Sequence, residues 1–178
     1  MDSMSRKSEQ EGTITREECA RQEEEIRLVA RYCMLDIDCR REQVLRYFGQ
    51  TFNRTECNKT CDNCISGRVG SPKDMTKEAT QMLRLVSDLS GNITRTQCIA
   101  VYRGAKTKDV RDRGWDSLPY FGCGSHLDQN TVERLVNFLL IDQMLAEFAV
   151  ANKSGFHTDY LKVRHVSSCL CPQTNINI

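Results

Sequence analysis

A mainly α-helical chain in two parts, closed by one small β-hairpin, is the fold class this sequence predicts. Three observations carry it. Apolar residues recur at helical spacing through most of the chain. A run dense in Cys, Asn, Thr and Gly interrupts the helices between Thr51 and Asp74. Near the C-terminus, two strand-like runs flank a turn of Asn152, Lys153, Ser154 and Gly155.

Residues 1–14 are polar and poor in apolar side chains, and read as a disordered arm. From Thr15 to Cys33 the pattern is helical, with Ile26, Val29, Ala30 and Cys33 on one face and Glu23 to Glu25 opposite. A second helix begins near Cys39, where Val44, Leu45 and Phe48 make the apolar stripe and Gly49 is the terminator. The two helices form a hairpin around Asp36 to Asp38. The segment TFNRTECNKTCDNCISGRVGSPKD then ends the first part, so residues 15–66 are expected to be one domain and 67–74 a linker.

The second domain is expected over residues 75–166, with 167–178 as a tail. Met82, Leu85, Val86 and Leu89 mark an amphipathic helix that Gly91 ends, and Thr96 to Tyr102 is a further short helix. Arg103 to Leu127, with Gly104, Gly114, Pro119, Gly122 and Gly124, reads as a loop. The strongest helix follows, with Asn130 as candidate cap, Glu133 three residues on, and Val132, Leu135, Val136 and Leu139 facing inward. LAEFAVA and FHTDYLKVRH then supply the hairpin. Helices followed by a terminal hairpin are the order of a winged helix, an α+β fold.

Length and composition bound the function. A chain of 178 residues divided in two gives each part a modest core. With 39% hydrophobic and 28% charged residues, wholesale disorder is not expected. No apolar run approaches the roughly 20 residues of a membrane span, and the N-terminus has no signal-peptide pattern, which points to an intracellular protein. A formal net charge of +1 argues against coating nucleic acid by bulk electrostatics and leaves room for a local basic patch. Ten cysteines would make a disulfide scaffold in a secreted chain and metal ligands in a reducing compartment, so their spacing decides.

Four of them, Cys39, Cys57, Cys61 and Cys64, are spaced C-x17-C-x3-C-x2-C. Four thiolates meet at one tetrahedral Zn²⁺ only if the chain folds back, and the helix from Arg40 to Phe48 provides that return. Such a site is closed and therefore structural, and zinc in small modules contributes about 10 to 16 kcal/mol to folding. The competing reading is four unrelated free or buried cysteines. Cys19, Cys33 and Cys98 read as small buried hydrophobes. Cys123 lies between two glycines, and Cys169 and Cys171 lack a partner pair, so no second metal is expected.

The stretch YCMLDIDCRREQVLRYFGQTFNRTECNKTCDNC resembles the zinc-binding segment of RecQ-family ATP-dependent DNA helicases of the Bloom-syndrome type. There, a cysteine followed by two arginines opens a helix, a YFG-like turn closes it and a CDNC-like pair completes the site. The resemblance carries the metal ligands onto Cys39, Cys57, Cys61 and Cys64, and implies that a winged helix follows. VYRGAKTKDVRDRG and PYFGCGSHLDQNTVERLVNFLL are similar to two landmarks of that domain, the RQC domain. The resemblance also implies 3′-to-5′ unwinding, roles in recombination, repair and replication, a nuclear address, forked, duplex or junction DNA as substrate, and possible protein partners from RecQ complexes. No G-x-x-x-x-G-K phosphate loop occurs. ATP and Mg²⁺ therefore enter only through a helicase core this chain lacks, and alone it is expected not to hydrolyse ATP.

The candidate DNA contacts follow from charge. Arg103, Lys106, Lys108, Arg111 and Arg113 oppose Asp109 and Asp112 in the densest basic stretch, where Gly104 lets backbone N–H groups approach a phosphate. The plain alternative is a solvated loop. Gly122, Gly124 and Ser125 precede a helix N-terminus, a favourable place for a phosphate. At the hairpin tip, Lys153 is a charge, and Phe156 is either a wedge that replaces base stacking or a core residue. Two other functional classes compete: a stand-alone winged-helix regulator with sequence preference, and a protein-interaction module.

Overall fold

The structure is a computed structural model that describes residues 15–70, 73–89, 91–151 and 155–164. The arm and tail expected at 1–14 and 167–178 lie outside the described residues, as does Lys153. The chain divides into two compact units, Met1–Gly70 and Ser71–Ile178. No helix among the described residues is long and apolar enough to cross a membrane.

In the first unit, α1 (Arg16–Met34) begins at Thr15 with a capping box. The Glu18 carboxylate accepts the Thr15 N–H at 2.8 Å while the Thr15 hydroxyl accepts the Glu18 N–H at 3.2 Å. The Thr15 N–H holds the Glu18 carboxyl below its ordinary range. α2 (Arg40–Tyr47) follows Cys39, and Gly49 at φ 72° closes it. The Gly49 N–H donates to Arg46 O at 3.0 Å and the Gln50 N–H to Leu45 O at 2.8 Å, the paired bonds of a Schellman turn. A 3₁₀ turn (Arg54–Cys57) and the short α3 (Asp62–Ser66) complete the unit.

The apolar faces expected of these helices are not buried. α1 and α2 bury no residue; Ile26, Val29, Val44 and Phe48 are exposed, and Cys33, expected to be a small core residue, is exposed too. The reason is visible in what the unit does bury: its buried cluster is Cys39, Cys57 and Cys64, flanked by Phe52 and Cys61. No apolar layer is present to receive the helix faces among the described residues.

The second unit has a conventional core. α4 (Thr76–Asp88), α5 (Arg95–Tyr102) and α7 (Gln129–Ile141) contribute Met82, Leu85, Val86, Val101, Tyr102, Leu135 and Leu139, with Leu145 and Leu161 closing it from the hairpin. β1 (Leu145–Ala151) and β2 (His157–Val163) are antiparallel, with Leu145 opposite Val163 and Ala151 opposite His157. The Leu161 N–H donates to Ile93 O at 2.8 Å, so β2 lies between β1 and the segment before α5. Cys98 is buried in this core, as expected, and buriedness pushes its thiol up to about 12.

Two expectations are corrected here. The region from Arg103 to Leu127 is not all loop: α6 (Lys108–Asp112), capped by Thr107, and a 3₁₀ turn (Trp115–Ser117) lie within it, each anchored by one buried side chain, Val110 and Trp115. Elements this short show no period. The cap of α7 is Asp128, not Asn130: Asp128 Oδ1 accepts the Thr131 N–H at 2.9 Å, and Oδ2 accepts the Thr131 hydroxyl at 2.6 Å. A carboxylate two residues earlier reaches the free N–H groups and complements the helix dipole, placing Asn130 inside the first turn.

The Thr131 hydroxyl and N–H hold the Asp128 carboxyl below its ordinary range. A depressed folded-state pKa contributes stability that is present above the unfolded-state value and lost as pH falls through the folded one. The Asp128→Ala variant is therefore expected to melt below the unsubstituted chain at neutral pH, with the difference vanishing in strong acid. Thermal melts across an acid pH series check this; an unchanged difference at every pH would contradict the capping role.

Candidate metal centre and nucleic-acid face

The four spaced cysteines converge. Cys39 caps α2, Cys57 ends the 3₁₀ turn, Cys61 caps α3 and Cys64 lies within it. Their Sγ atoms all lie within 4.8 Å of one another, and Cys39 and Cys61 are 4.0 Å apart. Zn–S bonds of about 2.3 Å place the sulfurs of a tetrahedral site about 3.8 Å apart. The cluster thus fits zinc with only a slight contraction, and four thiols, three buried and Cys61 half-buried, suit a closed, non-catalytic site.

The acidities are unequal. The Thr60 hydroxyl, 3.6 Å from Cys57 Sγ, leads the effects that bring Cys57 down to about 6. The Cys64 backbone N–H lowers Cys61. Burial, followed by the neighbouring thiols, pushes Cys64 up to about 12. Four sulfurs this close do not all ionise alone; a dication offsets their repulsion and displaces their protons.

Around the cluster, Arg40 Nε donates to the Asp62 carboxylate at 3.3 and 3.4 Å, and its guanidinium also donates to Tyr32 O and lies 4.8 Å over the Tyr32 ring. Arg40 holds the Asp62 carboxyl below its ordinary range. The Asn63 side-chain amide donates to Leu35 O at 2.9 Å and Asp38 O at 2.8 Å, and Arg68 pairs with Asp36 at 2.9 Å. Sequence reasoning passed over Arg40, Asp62 and Asn63 as individuals. Their only signal was position, directly beside or between cysteines.

In the second unit, Arg103 caps the C-terminus of α5 and is half-buried, with its Nε shielded from solvent and lacking a hydrogen-bond partner. Gly104, at φ 79°, passes so close to Gly122 that a Cβ would lie 3.1 Å from the Gly122 Cα, which restricts this crossing to glycine. Lys106 and Lys108 are exposed on either side of Thr107. Asp109 is occupied by Arg113 at 2.9 Å and by Gln97 at 2.7 Å, and Arg113 also stacks 4.8 Å over Trp115.

The phosphate cradle expected at Gly122, Gly124 and Ser125 is not open. Their N–H groups donate to Val101 O at 3.1 Å, Tyr102 O at 2.8 Å and Gly122 O at 3.0 Å, and the Asp128 carboxylate already occupies the start of α7. Gly124 is buried against the Tyr102 ring, and Ser125 keeps an exposed side chain. At the hairpin, Phe156 is 73% exposed, which removes the core-residue alternative.

Comparison with known proteins agrees with both halves. The RQC domain family model matches residues 71–176, and the RecQ zinc-binding family model matches residues 1–65. An ATP-dependent DNA helicase of Schizosaccharomyces pombe is 36% identical over 79% of this chain and 11% of its own length. An ATP-dependent helicase of Saccharomyces cerevisiae is 31% identical over 76% of this chain and 10% of its own. An ATP-dependent DNA helicase Q-like protein of Arabidopsis thaliana is 34% identical over 68% and 10% respectively. The chain thus spans about a tenth of the length of these relatives.

Proposed function

This chain belongs to the RecQ helicase family, of which it carries the zinc-binding segment and the RQC domain, and on that premise we propose that it is the zinc-stabilised DNA-binding region of a 3′-to-5′ DNA helicase. In this reading Cys39, Cys57, Cys61 and Cys64 hold one structural Zn²⁺. The observation that carries it is the coincidence of the four-sulfur cluster with the buried core of residues 15–70. Zinc supplies no reaction there; it supplies the cohesion that a small unit without an apolar layer needs.

DNA binding falls to the second unit. Lys106 and Lys108 offer exposed charge to phosphates, Arg103 offers a half-buried guanidinium beside the Gly104–Gly122 crossing, and Ser125 offers a hydroxyl. Lys153 and Phe156 would act at the hairpin, with the largely exposed Phe156 ring as the candidate to stack on an unpaired base. ATP and Mg²⁺ would act in the motor of the whole protein, with recombination, repair and replication in the nucleus as its setting.

The test is competition between a forked and a linear duplex of scrambled sequence. Structure-specific binding with weak sequence preference supports the helicase reading; strong preference for one sequence would instead indicate a regulator. The Lys106→Ala/Lys108→Ala variant is expected to weaken binding uniformly across sequences and to reduce the slope of log K against log salt by about 2, since each phosphate contact contributes about 0.9. An unchanged affinity and slope would point to a protein-binding module. Phe156→Ala is expected to keep duplex affinity and to reduce the preference for the fork.

A further inference from the structure

The four thiols come from two parts of the chain. Cys57, Cys61 and Cys64 lie in one short segment closed by its own turns, whereas Cys39 arrives from the far end of α2. In the turn that delivers Cys39, Leu35, Asp36 and Ile37 are half-buried and Asp38 is exposed, so no fully buried side chain anchors it. One side chain reaches across. Asn63, between Cys61 and Cys64, is 4% exposed and is the buried polar residue of the described chain. Its Nδ2 spends both hydrogens on that turn, donating to Leu35 O at the end of α1 and to Asp38 O immediately before Cys39.

We propose that Asn63 is the positioning residue for Cys39: its amide clasps the Leu35–Asp38 turn to the three-cysteine segment and sets the remote sulfur in place before metal arrives. The proposal rests on the zinc reading above. Other ties to the turn are weaker. Arg68 pairs with Asp36 from a side chain 65% exposed, and Gln43 Nε2 reaches Asp38 O at 3.2 Å from an exposed position. Arg40 ties α2 to Asp62, but that carboxylate is open to solvent. Ion pairs and hydrogen bonds in water exchange for solvation at little net gain, whereas the bonds of a buried amide retain more of their energy, and Asn63 joins both carbonyls from a single buried side chain. Chemistry at position 63 is also constrained: two acceptors require two donors on one atom, which an amide nitrogen provides and a carboxylate of the same shape does not.

The full 178-residue chain, loaded with zinc, tests this through two measurements: zinc affinity by competition with a chromophoric chelator, and alkylation of each cysteine followed by mass spectrometry. Asn63→Ala and Asn63→Asp are expected to weaken zinc binding about 10- to 100-fold, the usual effect of losing an outer-shell partner. They are also expected to make Cys39 react ahead of Cys57, Cys61 and Cys64. Asn63→Gln, which keeps both donors on a longer arm, should fall between these and the unsubstituted chain, and it decides the matter if the Asp variant does not fold. Affinity within twofold in all variants, or four cysteines that become reactive together, would overturn the proposal. A chain that takes up no zinc at all would overturn the zinc reading itself, whereas zinc uptake indifferent to residue 63 would overturn only the role of Asn63.

Discussion

Removing the metal with a strong chelator is expected to unfold residues 35–66 and leave the second unit intact. The first unit buries cysteines where other domains bury leucines, so the apparent zinc-binding energy, about 10 to 16 kcal/mol in small zinc modules, exceeds anything its side chains supply by packing. The second unit has its own core, from Met75 to Leu161, and owes nothing to the cluster. Without metal α1 is left with its capping box and its Glu23–Arg27 and Glu24–Arg27 pairs, which hold an isolated helix only marginally. A melt followed by circular dichroism should therefore show two transitions with zinc and one after chelation. Cys39→Ser should behave as the chelated chain does. Acid should act in the same direction. Protons compete with zinc for the sulfurs, so the metal is released as pH falls. Two transitions that persist in metal-free protein would defeat the zinc-core account.

Gly124→Ala is expected to destabilise the second unit by about 1 to 3 kcal/mol, the cost of overpacking a filled core. The methyl would lie 2.2 Å from Tyr102 Cε1 and 2.3 Å from Cδ1. The ring has little freedom to retreat: Tyr102 is fully buried, and its hydroxyl donates to Gln81 Oε1 at 2.9 Å. Burial, with Glu78 close by, also raises that hydroxyl's pKa, so it stays a donor throughout the working range. The same substitution should leave affinity for forked DNA within about twofold in the fraction that remains folded, because the Gly124 N–H is committed to Tyr102 O. Denaturant titration and a binding isotherm measured on the same preparation separate the two effects. Lost DNA affinity at unchanged stability would restore Gly124 as a contact.

What could be read from the sequence follows the physics of each signal. α4 and α7 are legible because Met82, Leu85, Val86 and Val132, Leu135, Val136, Leu139 recur at helical spacing within helices of 13 residues and face a core within the same unit. The periodicity in α1 was just as clear and its burial was not, because a pattern states which face is apolar and not whether this stretch of chain supplies a cover. Cysteine spacing was informative because tetrahedral coordination allows few arrangements. Asn63 gave no such signal: its role depends on carbonyls at Leu35 and Asp38, and backbone acceptors are invisible in a sequence. Gly124 reads in the sequence as part of a phosphate site before a helix N-terminus; in the fold its N–H is committed to Tyr102 O and it lies against the Tyr102 ring.

The bond from Leu161 N–H to Ile93 O gives the hairpin a mechanical character. Its root is clamped on two sides: Leu145 and Leu161 sit in the core, and the Phe148 ring rests against Gly91. Beyond Phe148, three residue pairs of ladder project, about 10 Å at roughly 3.3 Å per residue. A load applied at the Ala151–His157 pair would be carried by the ladder and by the Leu161–Ile93 backbone bond into the body of the unit.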